Sequence, residues 1–302
     1  MTTVKDVGEF GLIARLRRRL HQPASVRVGI GDDAAVLRSP DGGRLLFASD
    51  MLVEGVHFTR GRVSPRWIGW KALACNVSDI AAMGGVPQWA VVSLGLPPVT
   101  PLRFVDGLYA GLERCARRFG VAIVGGDTVR APQVVVDVAI LGTVRPKQLT
   151  LRSGAEVGDL LFVTGRLGGS LASGRHARFL PRLREAQALV RRLRVHAMMD
   201  LSDGLASDLW QMSRESRVRL RVEAASVPVS KAGRTLTHAL MDGEDFELLF
   251  AVSSRDAARV PSRIGACPIT RIGRVVGRGI GVELVDEQGR IVPLRLKGYQ
   301  HF

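Results

Sequence analysis

Residues 29–37 read GIGDDAAVL. Two aspartates, Asp32 and Asp33, stand side by side between a glycine-rich approach and an apolar run, in a chain of formal net charge +15. Like charges this close repel. A turn tolerates the pair, because Asp accepts tight backbone geometry. A metal ion that gathers carboxylates at one point would also explain it. Around the pair the pattern is strand and turn: residues 34–38 and 44–49 alternate as strands joined at SPDGG.

Working outward, residues 9–20 read as an amphipathic helix. Residues 65–83 read as another, with Pro65 in its first turn and Gly84-Gly85 as its stop. QWAVVSLGL is a strand, 101–119 a helix, VAIVGGD a strand ending in a Gly-Gly-Asp turn, and QVVVDVAILGTV a long strand. After RPKQLTLRSGAEVGD the grammar begins again. LLFVTG is a strand, LGGSLASGRHA starts a helix, and PRLREAQALVRRL is a helix. HAMMD is a short strand, GLASDLWQMSRES a helix, VRLRVEA and DFELLFAV strands, and SRDAARVPSRI a helix before a final run of short strands. The expected fold class is α+β in two domains, 1–149 and 150–302.

The 302 residues are 46% apolar and 24% charged, enough for a sizeable core, and aromatics are only 5%, so that core is aliphatic. The longest apolar run, VVVDVAILGTV, is short and carries Asp137, whereas a membrane span needs about 20 apolar residues. The start, MTTVKDVGEF, lacks the charged and apolar regions of a signal peptide, so the expected compartment is the cytoplasm. Cys75, Cys115 and Cys267 are odd in number, far apart and outside any CxxC, and read as small buried apolar residues. The basic residues are mostly dispersed arginines with no nucleic-acid motif and few aromatics for base stacking. They read as a solvated face, with no nucleic-acid or membrane partner expected, and their field favours an anionic substrate.

The acidic residues are placed less evenly. Asp32 and Asp33 precede a strand, Asp50 ends RLLFASD, Asp79 lies in NVSDIAAMGG, Asp127 ends VAIVGGD, and Asp200 and Asp203 flank Ser202 in MMDLSDGL. Singly, each is explained by a turn, a helix cap or an exposed face. Seven carboxylates in five Ser- or Gly-flanked turns fit a magnesium site, since Mg²⁺ takes oxygen ligands and bridges carboxylates to phosphates. No Cys/His cluster suggests zinc, and neither a Walker motif nor a protein-kinase signature set occurs. TGRLGGS (164–170) could offer backbone N–H groups to a phosphate, and Gly125-Gly126 would let a ligand approach the backbone before Asp127.

Together GEFGLIARL, GIGDDAAVL, ASDMLVEGVHF, KALACNVSDIAAMGGVP, VGGDTVR, LRSGAEVGD, DLSDGLASDL, GEDFELLF and the terminal GYQHF resemble the thiamine-monophosphate kinases, of the aminoimidazole ribonucleotide (AIR) synthetase-like superfamily. The matches run in order from residue 8 to residue 302. The resemblance implies transfer of the ATP γ-phosphoryl group to thiamine monophosphate, giving thiamine diphosphate and ADP. It also implies a homodimer whose N-terminal sheets pair into a barrel, a C-terminal α/β domain, and a nucleotide in the cleft between the halves. Residue by residue, it makes Asp33, Ser49, Asp50, Asp79, Asp127, Asp200 and Asp203 ligands of several Mg²⁺ ions. Gly126, Asp127, Arg152 and Ser202 become ATP contacts, and His57, Glu244 and Tyr299 acceptor contacts. No dedicated catalytic base is implied, because a phosphate monoester with a second pKa of about 6 is already ionised at neutral pH. Asp242 stands where a second glycine is common, Phe246 where Tyr is common, and Gln300 where Asp is common. Related superfamily members are separated by their chemistry. Selenophosphate synthetase wants a reactive residue in a Gly-rich N-terminal segment, and the hydrogenase-maturation relative a C-terminal cysteine. This chain has its first cysteine at Cys75 and ends in GYQHF.

Overall fold

The computed structural model describes residues 3–20, 23–39 and 42–294. The first half runs α1 (Val4–Arg19), β1 (Val26–Val28), β2 (Ala35–Arg38), β3 (Arg44–Val53), α2 (Pro65–Ala82), β4 (Val86–Leu96), α3 (Leu102–Phe119), β5 (Ala122–Arg130) and β6 (Val135–Val144). The second runs β7 (Leu160–Thr164), α4 (Leu183–Arg192), β8 (Val195–Asp200), α5 (Leu205–Ser216), β9 (Val218–Glu223), α6 (Leu236–Met241), β10 (Leu248–Val252), α7 (Ser254–Ala257), β11 (Arg263–Ile264), β12 (Cys267–Arg278), β13 (Gly281–Val285) and β14 (Ile291–Pro293).

The first sheet has the order β1-β2-β3-β6-β4-β5. All its pairs are antiparallel except β4 with β5, which α3 joins as a crossover. Strand alternation puts Leu46, Ala48 and Leu52 under α2, while Phe47 and Met51 of β3 and Trp89 and Val91 of β4 stand exposed on the opposite face. α2 is apolar on nearly all sides and correspondingly buried. Its charged residues are only Arg66, Lys71 and Asp79: α3 and the first sheet cover most of it, and Ala81 and Ala82 at its end join the core of the second half.

The second sheet has the order β14-β13-β9-β12-β7-β10-β8, with β11 paired to β12. Leu205, Leu209 and Met212 of α5 and Leu240 of α6 cover one face. Leu189 and Val190 of α4 share the other with Phe162 and Phe250, whose rings stack at 5.4 Å.

Three segments differ from their sequence patterns. Residues 167–177 form turns and one short 3-10 turn instead of a helix, because Gly168, Gly169 and Gly174 all take left-handed φ angles. The helix expected over SRDAARVPSRI stops at Ala257, and the chain soon enters β11. The strand expected from Asp245 begins only at Leu248, since Glu244 and Phe246 are themselves left-handed. Helix α6 carries no sequence signal strong enough to announce six residues.

Candidate active site

β2 pairs only with residues 44–47 of β3. Among the described residues, the β3 backbone beyond Phe47 has one edge without a strand neighbour, and a cavity of about 580 Å³ opens there between the two halves. Its wall gathers Asp32, Asp33, Ser49, Asp50, His57, Lys71, Cys75, Asp79, Arg152, Asp200, Ser202, Asp203 and Glu244 from seven separate segments. Helical spacing explains one side of it: Lys71, Cys75 and Asp79 lie at i, i+4 and i+8 of α2 and so share a face. The second half supplies Asp200 from the end of β8, and Ser202 and Asp203 from the turn into α5.

The two adjacent aspartates have different fates. Asp32 is the turn residue: its carboxylate accepts the backbone N–H of Asp33 at 3.0 Å and of Arg152 at 3.2 Å. Asp33 turns into the cavity, where carboxylate oxygens of Asp33, Asp79 and Asp200 all lie within 4.8 Å of one another. The Arg152 guanidinium grips Asp33 with Nε at 2.8 Å and a second N–H at 2.5 Å. Ser78 Oγ donates to Asp200 at 2.6 Å, tying α2 to β8.

Burial and mutual repulsion raise this whole group. Burial and then the Asp33 charge push the Asp32 carboxyl up to about 7. Burial pushes Asp50 to about 6 and Asp200 to about 8, with neighbouring aspartates adding to each. Asp79 is raised well above the usual range by burial, Asp50 and Asp200. Asp33 is raised by burial against the pull of Arg152. A divalent cation fits this donor set. The ligands are hard carboxylate oxygens, and Asp33 Oδ2 is buried without a hydrogen-bond partner.

The remaining expected residues are placed less uniformly. Ser49 and Asp50 are strand neighbours and project to opposite faces of β3. Ser49 Oγ donates to Asp137 at 2.9 Å. His57 Nδ1 accepts the Val53 N–H at 3.0 Å, which puts the proton of a neutral ring on Nε2. Gly126 and Asp127 do not line the cavity. They lie on β5, with Asp127 opposite Ser93, then Asp137 and Met51 across successive strands. Three strand spacings put Asp127 about 14 Å from Met51. Gly126 has a backbone reason to be glycine: a Cβ there would lie 1.8 Å from the Val92 carbonyl oxygen. Tyr299 and Gln300 lie outside the described residues.

The TGRLGGS loop does not offer its amides to a phosphate. The Gly168 and Gly169 N–H groups donate to Asp245 and Asp242 at 2.8 and 2.7 Å. Asp242 thus fastens this loop, and Phe246 stacks on Phe179 at 3.9 Å. Sequence reasoning assigned no role to Lys71 or to Asp208. Lys71 is 1% exposed and ion-paired with Glu244. Asp208 is buried near Asp200 and Asp203 and raised well above the usual range by burial. The i, i+4, i+8 spacing to Asp79 could have found Lys71. Asp208 sits inside DLSDGLASDL with no signal apart from that motif.

Residues 31–144 match the family described as AIR synthase related protein, N-terminal domain, and residues 156–286 the corresponding C-terminal domain family. A thiamine-monophosphate kinase of Rhodopirellula baltica is 43% identical over 288 residues, covering 89% of this chain and 90% of the relative. One from Bacillus subtilis is 35% identical, covering 97% and 99%. A solved structure described as AaThiL complexed with AMPPCP and TMP superposes with a TM-score of 0.88 at 31% identity, covering 100% of this chain and 99% of that one.

Proposed function

Because the chain belongs to the thiamine-monophosphate kinases of the AIR synthase-related family, we propose that it transfers the γ-phosphoryl group of ATP to the phosphate of thiamine monophosphate, yielding thiamine diphosphate and ADP. The observation that carries this reading is the cluster of Asp33, Asp79 and Asp200 carboxylates in a cavity that also holds His57 and Glu244. Magnesium held by Asp33, Asp50, Asp79, Asp200 and Asp203, with Ser49 as a further ligand and Asp127 supplied by a facing copy, would neutralise donor and acceptor phosphates together. Arg152 adds a fixed positive charge beside them, and Ser202 a hydroxyl at the nucleotide. His57 offers its Nε2 proton to the acceptor phosphate. Glu244 and Tyr299 take the thiamine moiety. The acceptor oxygen arrives ionised, so the chain needs to orient it rather than deprotonate it.

The reading includes a homodimer formed through the exposed face of the first sheet. Phe47, Met51, Trp89 and Val91 make an apolar patch there, of the kind that marks an interface. Closing two such sheets into a barrel also gives Gly126 and Asp127 a nucleotide to meet, that of the facing copy, since their own cavity lies several strands away. Among the described residues no helix is long and apolar enough to cross a membrane. Three buried, unpaired cysteines suit a reducing cytoplasm.

A coupled ADP-release assay with Mg²⁺ and ATP tests the reading, run with thiamine monophosphate, with thiamine, and without acceptor, on wild type and Asp203→Asn. ADP release only with thiamine monophosphate, lost in the variant, is the expected result. Turnover with free thiamine, or none with any acceptor, would overturn it.

A further inference from the structure

We propose that Lys71 is the positioning residue of the acceptor pocket, fixing the Glu244 carboxylate against the His57 loop and so setting acceptor affinity separately from nucleotide affinity. The inference rests on the reading of His57 and Glu244 as acceptor contacts. A lysine buried to 1% exposure is unusual and costly unless its charge is matched. Lys71 is matched twice. Its Nζ pairs with Glu244 Oε1 and donates to the His57 carbonyl oxygen at 3.0 Å. His57 and Lys71 belong to the first half and Glu244 to the second, so one ammonium joins the two sides of the pocket.

The segment it holds is under backbone constraint. Glu244 and Phe246 have φ angles of 63° and 49°, a region that non-glycine residues avoid and that tends to mark functional sites. The backbone around them is tied down on every side. The Glu244 N–H donates to the Ser202 carbonyl at 2.6 Å, the Phe246 N–H to Leu201 at 2.7 Å, and Ser170 Oγ to the Glu244 carbonyl at 2.6 Å. Those ties place the Glu244 backbone but not its carboxylate, which is 23% exposed into the cavity. The carboxylate is placed by Lys71. With Oε1 held by the ammonium, Oε2 is the oxygen presented to the acceptor's cationic ring or amine. A carboxylate released from that contact would rotate toward water and toward other partners. The pocket would then lose a fixed anion, while Asp33 and Asp200 would keep their own hydrogen bonds to Arg152 and Ser78.

Steady-state kinetics with both substrates varied, on Lys71→Met, Glu244→Gln and the double variant, test this. Lys71→Met is expected to raise the KM for thiamine monophosphate about tenfold or more and leave the KM for ATP within about twofold. In the Glu244→Gln background the same change should add less than about twofold, because its effect runs through the carboxylate. Lys71→Arg keeps the cation at a different length and provides the comparison if Lys71→Met does not fold. It should raise the acceptor KM alone. An unchanged acceptor KM, an equal rise in both KM values, or a Lys71→Met effect of the same size with and without Glu244 would overturn the proposal. Failure of the wild type to use thiamine monophosphate would instead overturn the functional reading beneath it.

Discussion

Asparagine in place of Asp50 should make the metal-free protein more stable at neutral pH, even as it removes a carboxylate from the cavity. Burial, then the charges of Asp137 and Asp33, raise the Asp50 carboxyl from 3.8 to about 6. The folded protein therefore binds this proton more tightly than the unfolded chain does. Between those two values, stability falls as pH rises, and above about pH 6 the whole cost is present. Two units at about 1.4 kcal/mol each make the cost about 3 kcal/mol near pH 7.5, and about half of that near pH 5. The amide of the Asp50→Asn variant has the same shape as the carboxylate without its charge. At about 2.1 cal/mol/K of unfolding entropy per residue, 3 kcal/mol over a chain this long is a Tm rise of about 5 °C. The assay is denaturant unfolding of wild type and Asp50→Asn in chelator at the two pH values, repeated with saturating Mg²⁺. The variant should lead in chelator, lead by less at the lower pH, and lose its lead in Mg²⁺, which stabilises the folded wild type by binding. A variant less stable than wild type in chelator near pH 7.5 would refute the reasoning, because Asp50 would then be a satisfied structural group.

Arg152→Met leaves Asp33 buried without its fork, and should cost about 3–5 kcal/mol in chelator, partly recovered by Mg²⁺ in the same unfolding assay. Gly126→Ala forces a Cβ to within 1.8 Å of the Val92 oxygen and should part β5 from β4, lowering stability by about 3 kcal/mol as read from the denaturant midpoint. Trp89→Glu places a charge in the centre of the exposed sheet face and should give a monomer by sedimentation, with turnover falling in parallel.

Much of the fold was legible because its periodicities are clean. Pro65 and Gly84 bracket α2 as expected, and β3, β4 and β6 fall where alternation or apolar runs put them. The misread segments share a cause. Around Gly168–Gly174 and Glu244–Phe246 the backbone conformation is decided by partners far away in sequence: Asp242 and Asp245 for the first, Ser202, Leu201 and Ser170 for the second. Local propensity carries no information about such bonds. The site residues divide in the same way. Asp33, Asp79 and Asp200 stand at turns or on a helix face whose geometry follows from their own segments, and they converge. Asp127 was grouped with them by motif, and only the strand order shows how far along the sheet it lies. For Lys71, helical spacing puts it on the face of Asp79, but its pairing with Glu244 is visible only in the fold.

Helix α2 has a consequence for how this molecule can move. It is buried against the first sheet and α3 along most of its length, its last residues belong to the second half's core, and Ser78 reaches across to Asp200. A helix packed into both halves makes a poor hinge, because swinging either half away would expose apolar surface that nothing else covers. The same helix denies each half an independent existence: cut between residues 149 and 160, the first fragment would keep α2 with its end uncovered, and the second would lose the surface on which α4 and β8 rest.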